Sequence, residues 1–201
     1  MLVPVKAFAD AKARLSPVLS PTERERLARW SAERVVAAAG EAPVYVACDD
    51  DSVAQWATDH GASVLWHPGV GLNAAVANSV TDLRALGVQH VVVAHGDLPR
   101  AAQLASVAQK DTITLVPDGV GDGTNVLALP TSVQFQFAYG AGSFQRHLAH
   151  AFTIGVAVAV RRDSLLCLDI DVPADLTHPL VQEVLPPWLQ TNLANPTSPQ
   201  R

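Results

Sequence analysis

Short apolar runs alternate along the chain with stretches of helical period. In order they are "LVPV", a helix from Pro21 to Ala39, "VYVAC", a helix from Val53 to Asp59, "SVLW", a helix from Leu72 to Leu86, and "HVVVAH". Short, nearly unbroken apolar runs suit strands covered on both faces, and their alternation with helices is the signature of βαβ units. The pattern therefore predicts an α/β fold: a mainly parallel mixed sheet sandwiched by helices. The first long helix carries the clearest boundaries. Ser20 is placed to cap it, Glu23 follows three residues on, Pro21 takes the first helical position, Leu27, Trp30 and Val35 keep the helical spacing, and Gly40 supplies the stop. Gly61 and Gly87 end the next two helices in the same manner.

Beyond "TITLV" the pattern changes. "PDGVGDG" reads as a glycine-rich loop, "TNVLALP" as a strand, "GSFQRHLAHA" as a short helix, and "GVAVAV" and "LLCLDID" as further strands, an extension of the same sheet. Residues 1–185 are expected to form one domain. From Pro186 onward "PPWLQTNLANPTSPQR" loses periodicity, so residues 186–201 are expected to be a flexible C-terminal tail.

Composition narrows the partners. A chain of 201 residues is long enough to bury one good core, and its net charge of -5 argues against capture of nucleic acid or an anionic membrane surface. Its longest apolar stretch, "IGVAVAV", falls far short of the ~20 residues that cross a bilayer, and Pro4 and Lys6 interrupt the place of an apolar leader. Cys48 and Cys167 lie far apart in apolar runs and match no metal or redox spacing, which suits reduced core residues and a cytoplasmic location. Any anionic ligand must then be held by a few local groups. Exposed apolar residues of the second half leave a homodimer open.

Several stretches carry candidate chemistry. Asp97 directly follows the strand "HVVVAH", at the carboxyl edge where open α/β sheets gather ligands; an ordinary turn that ends the strand is equally open at this point. In "LLCLDIDVPADL", Asp169 and Asp171 alternate with Leu168, Ile170 and Val172 and so share one face of the expected strand, where Mg²⁺ would relieve their repulsion. The alternative is a solvated strand end and a helix cap near Pro173 and Ala174. Gly140, Gly142 and Ser143 open the helix of "GSFQRHLAHA", whose free N–H groups suit a phosphate or carboxylate. "GDGTN", with Thr124 and Asn125, is either a flexible turn or a loop folded around a second anion. His147 and His150 lie three apart, but no third ligand follows at zinc spacing, and an exposed helical face accounts for the pair. Two of the three lysines, Lys6 and Lys12, sit with Arg14 in "VPVKAFADAKARL"; a polyphosphate between these cations and the carboxylates would explain their concentration, and the alternative is that the lysines are solvated loop residues. No G-x-S-x-G elbow, Walker lysine motif or G-x-G-x-x-G is present.

Taken in order, "PVKAFADAKARL", "GLNAAV", "GDLP", "GDGTN", "FAYGAGSFQRHLAHA" and "DIDVPADL" resemble the 2-phospholactate or phosphoenolpyruvate guanylyltransferase family of coenzyme F-420 biosynthesis, from about Val3 to Leu176. The resemblance implies a nucleotidyltransferase fold of the glycosyltransferase-A-like type. It also implies transfer of GMP from GTP to the phosphate of a three-carbon acid, with release of pyrophosphate. Carried over by motif, Lys6, Lys12 and Arg14 would face the GTP phosphates, with Lys12 and Asp97 as catalytic residues and Asn73 near the guanosine. Asp97, Asp169 and Asp171 would hold Mg²⁺, and Thr124, Gly140 and Ser143 would form the acceptor site. A nucleotidyltransferase with another base or acceptor, and a non-catalytic GTP-binding module, are the competing readings.

Overall fold

The computed structural model describes residues 1–194. A seven-stranded sheet runs through it in the order β3-β2-β1-β4-β6-β5-β7. The strands are β1 (Leu2–Pro4), β2 (Tyr45–Cys48), β3 (Ser63–Trp66), β4 (His90–Ala94), β5 (Thr112–Pro117), β6 (Thr124–Pro130) and β7 (Ala157–Val160). Only β6 runs against its neighbours, so the sheet is parallel apart from the strand that pairs β4 with β5.

The period-2 alternation of side chains divides the strands between two faces. Leu2, Val91, Val93, Ile113, Leu115, Leu127 and Leu129 point to one face, under α3 (Gly71–Ala85) and α4 (Ser143–Ile154). Val3, Val92, Ala94, Val116, Val126 and Ala128 point to the other. That face is covered by α1 (Pro21–Ala37) and, around Val46 and Cys48, by α1 together with α2 (Asp51–Asp59). The first helix begins as its residues predict: Ser20 accepts from the Glu23 backbone N–H while the Glu23 carboxylate accepts from the Ser20 N–H at 2.8 Å. Gly40, Gly61 and Gly87 all adopt positive φ at helix ends.

After β1 the chain builds outward through β2 and β3, then returns to lay β4 on the other flank of β1. The crevice at the carboxyl ends of β1 and β4 is thus a topological switch point, the usual ligand position of an open α/β sheet.

Two expectations are corrected. "LLCLDID" is not a strand: its first three residues belong to a turn at 164–167, and residues 168–171 are irregular. The Asp163 carboxylate accepts from the Leu165 and Leu166 N–H groups, and the Asp175 carboxylate accepts from those of Asp171 and Val172 at 2.7 Å each. These side chains satisfy backbone donors that a strand neighbour would otherwise take, and Leu166 and Ile170 enter two different clusters rather than one sheet face. The expected tail from residue 186 is ordered at its start. Residues Pro187–Ala194 form a helix, α6, following the short helix α5 (Pro179–Gln182), while 195–201 lie outside the described residues. Leu185 and Leu189, four apart, are buried against Leu15, Leu19, Leu27, Ile170, Leu176 and Val181.

That cluster fastens the C-terminal segment to the loop after β1. Leu189→Ala should lower the unfolding free energy by about 2–4 kcal/mol, the usual cost of truncating a fully buried leucine. Urea denaturation measures it, and a loss below about 0.5 kcal/mol would mean that α6 does not pack there in solution.

Candidate active site

At the switch point lies a cleft of about 540 Å³, within the range of small-molecule sites. Its walls are the segment after β1 (Lys6, Phe8, Lys12), the ends of β2 and β4 (Asp49, His95, Asp97), the start of α3 (Gly71, Leu72) and Asp171. Lys6 is exposed at the cleft and makes no hydrogen bond or ion pair among the described residues.

Lys12 is the best-anchored cation. It sits in the left-handed region at φ 56°, unusual for a residue with a side chain, and its ammonium donates to Asp97 Oδ2 at 2.9 Å and to the Ile170 carbonyl. Its side chain is 7 % exposed, so the charge is held by protein rather than by water. Two of its three protons are thereby engaged, and one remains. Burial works to raise the Asp97 pKa, yet the Lys12 ammonium, His95 and the Lys12 hydrogen bond outweigh it, and the carboxyl lies below its ordinary range. Asp97 is therefore an anion at neutral pH.

Asp169 is in the opposite condition. Burial first, then the negative charges of Asp97 and Asp175, push its pKa up to about 7, against weaker opposing effects of Lys12 and an Asn125 hydrogen bond. Asp171 instead forms an exposed ion pair with Arg14 at 2.6 Å. The expected three-carboxylate cage is not assembled: among the described residues no three His, Cys, Asp or Glu side chains group to hold a metal ion. Loss of the strand is the reason: without its alternation Asp169 feels the charge of Asp97 while Asp171 pairs with Arg14. A pair of carboxylates, Asp97 and Asp169, remains electrostatically coupled and short of positive charge.

Thr124, Gly140 and Ser143 do come together. Ser143 Oγ lies 3.4 Å from Thr124 Oγ1, and the Ser143 N–H donates to the Gly140 carbonyl at 3.0 Å. Ser143 and Thr124 are 2 % and 3 % exposed and stand apart from the cleft lining, joined to it through Asn125, whose carbonyl accepts from the His95 N–H. The loop of "PDGVGDG" does fold around an anion, but the anion is its own Asp118, which accepts from the N–H groups of Val120, Gly121, Asp122 and Gly123. Likewise Asp122 accepts from the Gly142 N–H at 2.9 Å, so the α4 N-terminus already has a carboxylate. Asn73 clamps the Tyr139 backbone, accepting from its N–H at 2.6 Å and donating to its carbonyl at 3.5 Å.

His147 is the residue that sequence reasoning misplaced. It is fully buried rather than on an exposed face, bonded to Thr124 Oγ1 at 3.0 Å and to the Ala138 N–H at 2.8 Å. Its four-residue spacing from Ser143 and Ala151, both buried, was the available signal. His95 packs edge-on against Tyr139 with ring centres 4.8 Å apart, and its Nε2 and the Tyr139 hydroxyl are buried without a partner among the described residues.

Comparison with known proteins identifies the family and the fold. The family model described as guanylyl transferase CofC like matches residues 1–182. A phosphoenolpyruvate guanylyltransferase of Sphaerobacter thermophilus is 34% identical over 184 residues, covering 87% of this chain and 89% of that protein. A 2-phospho-L-lactate guanylyltransferase of Methanothermobacter thermautotrophicus is 32% identical over 184 residues, covering 87% and 81%. Among solved structures, a nucleotidyl transferase from Methanothermobacter thermautotrophicus superposes with a TM-score of 0.63 at 18% identity, covering 96% of this chain and 99% of that one, which supports the fold.

The raised Asp169 pKa has a consequence for stability. Protonated Asp169 favours the folded state, a contribution fully present below the ordinary value of 3.8 and lost as pH rises through about 7. Asp169→Asn should therefore stabilise the ligand-free protein at pH 8 by on the order of 2 kcal/mol and leave it nearly unchanged near pH 4. Denaturant titrations at the two pH values test this, and equal destabilisation at both would show that the Asn125 bond outweighs the repulsion.

Proposed function

The chain belongs to the CofC-like guanylyl transferase family, and from that premise we propose that it transfers GMP from GTP to the phosphate of a three-carbon phospho-acid, releasing pyrophosphate. The sequence resemblance sets this reaction in coenzyme F-420 assembly. The observation that carries the reading is Lys12 beside Asp97 at the switch-point cleft, a cation with one unused proton held by a carboxylate whose charge also bears on Asp169.

An acceptor phosphate oxygen attacks the α-phosphorus of GTP, a new P–O bond forms there, and the bond from the α-phosphorus to the bridging oxygen breaks to free pyrophosphate. The acceptor phosphate is already an anion at neutral pH, so no side chain needs to remove a proton. The chain must align two anions and neutralise the charge that develops on the leaving group. Lys12 is pre-oriented for this, since Asp97 and the Ile170 carbonyl fix its ammonium before substrate arrives. Lys6 adds a mobile charge at the rim, and Arg14, paired with Asp171, stands at the outer edge.

Mg²⁺ fits the donor set: Asp97 and Asp169 are two hard oxygen donors lacking sufficient counter-charge, and Mg²⁺ is commonly held by one or two carboxylates plus substrate phosphates. Bound there, the ion would supply charge neutralisation at the triphosphate. Asp171 would join through its other oxygen, because Arg14 engages only Oδ2. Thr124, Ser143 and the exposed Gly140 form the acceptor site, two hydroxyls and a backbone N–H suited to carboxylate or phosphate oxygens. Phosphoenolpyruvate is the first acceptor proposed, after the Sphaerobacter relative named for it. The Methanothermobacter relative favours 2-phospho-L-lactate as the second.

Incubation with GTP, Mg²⁺ and an equimolar mixture of both acids, read by mass spectrometry, should give the guanosine diphospho-adduct of phosphoenolpyruvate in excess. No adduct with either acid would overturn the reading. Asp97→Asn should keep its melting temperature within a few degrees while pyrophosphate release falls about a hundredfold or more, the scale of losing a transition-state electrostatic contact; unchanged turnover would remove Asp97 from the mechanism.

A further inference from the structure

His147 has no part in the reaction as described above, yet it is fully buried and makes two side-chain hydrogen bonds of opposite kind. The Ala138 N–H can only donate, so the His147 Nε2 it meets at 2.8 Å must offer a lone pair. In a neutral ring the proton then resides on Nδ1, and Nδ1 faces Thr124 Oγ1 at 3.0 Å. Thr124 is thus an acceptor toward His147. Of the two hydroxyl protons on Thr124 and Ser143, one closes the 3.4 Å contact between them, and the other has no acceptor among the described residues.

We propose that His147 is a positioning residue for the acceptor substrate: its Nδ1–H tautomer, fixed by the Ala138 backbone, makes the paired hydroxyls of Thr124 and Ser143 present a proton to an anionic oxygen of the phospho-acid. This rests on the acceptor role of Thr124 and Ser143 given above. With the opposite tautomer Thr124 would donate to His147, the pair would present lone pairs, and an anion would be repelled. The hydroxyls lie behind the exposed turn at 140–141, tied to it by the bond from the Ser143 N–H to the Gly140 carbonyl, and the proposal requires that turn to move aside for the acceptor to reach them. Phe135 and Tyr139 pack on the imidazole, with ring centres at 5.6 and 4.8 Å, and hold its plane. Burial first, then the positive charge of Arg146, lowers the His147 pKa to about 4, so the ring stays neutral at physiological pH.

The test uses the full chain with GTP and phosphoenolpyruvate and compares His147→Phe, His147→Asn and Thr124→Val. His147→Phe should raise the acceptor KM roughly tenfold, the cost of one misdirected buried hydrogen bond, while leaving the GTP KM within about twofold. His147→Asn should recover most of the loss, because its amide N–H₂ can occupy the place of Nδ1–H. If Thr124→Val raises the acceptor KM but His147→Phe does not, the inference fails and the acceptor site stands. If neither raises it, or the wild type guanylylates no phospho-acid, the acceptor assignment falls and the inference with it. Should His147→Phe not fold, ¹⁵N-histidine spectra of the wild type decide: Nδ1 protonated and Nε2 unprotonated supports the proposal, and the reverse overturns it.

Discussion

One buried cation organises this molecule. The Lys12 ammonium joins its own loop to Asp97, 85 residues away, and to the Ile170 carbonyl, 158 residues away, so three distant segments meet at one nitrogen. Bringing them together requires the sheet order, because only the return of β4 to the flank of β1 sets the Asp97 loop beside the Lys12 loop. It also requires the turns after Asp163 and the α6 anchor, which hold Ile170 and Leu15 in one apolar cluster. A part-buried pair of this kind contributes little net stability, since desolvation offsets the attraction. Its value is orientation: the backbone at Lys12 is held left-handed, and its remaining proton is directed by two fixed acceptors.

The acidic side chains divide by what they bond to. Asp118, Asp122, Asp163 and Asp175 accept from backbone N–H groups and act as loop staples, each supplying locally what a strand neighbour or helix turn would supply elsewhere. Asp97 and Asp169 do not work in this way. One is balanced by a lysine, and the pKa of the other is raised by burial and by its acidic neighbours. Asp171 stands between the groups, at the cleft but paired with Arg14.

Much of this was readable from residue order. The alternation of apolar runs with capped helices encodes the layers, because each strand must be covered on both faces, and the concentration of lysines in one loop brings Lys6 and Lys12 to one cleft. Asp97 follows from its place after β4. Less readable were features decided by side chains bonding to backbone. The alternating pattern of "LLCLDID" mimics a strand because Leu166 and Ile170 are both buried, but in separate clusters, and no spacing reveals that Asp163 and Asp175 stabilise turns there. The helix at 187–194 was hidden by its prolines, asparagine and threonine, although Leu185 and Leu189 already had helical spacing. Asn73 and His147 are polar residues whose partners, the Tyr139 and Ala138 backbones, arrive only through the tertiary fold.

The orientation of Lys12 toward a bound triphosphate is most directly measured by isothermal titration of GTP, with Mg²⁺ present, into the wild type and Lys12→Met. Loss of a fixed charge contact to phosphate predicts an affinity at least about tenfold weaker for the variant, with the protein still folded by circular dichroism. Equal affinity in the two proteins would contradict the account, because the buried ammonium would then serve Asp97 and Ile170 alone.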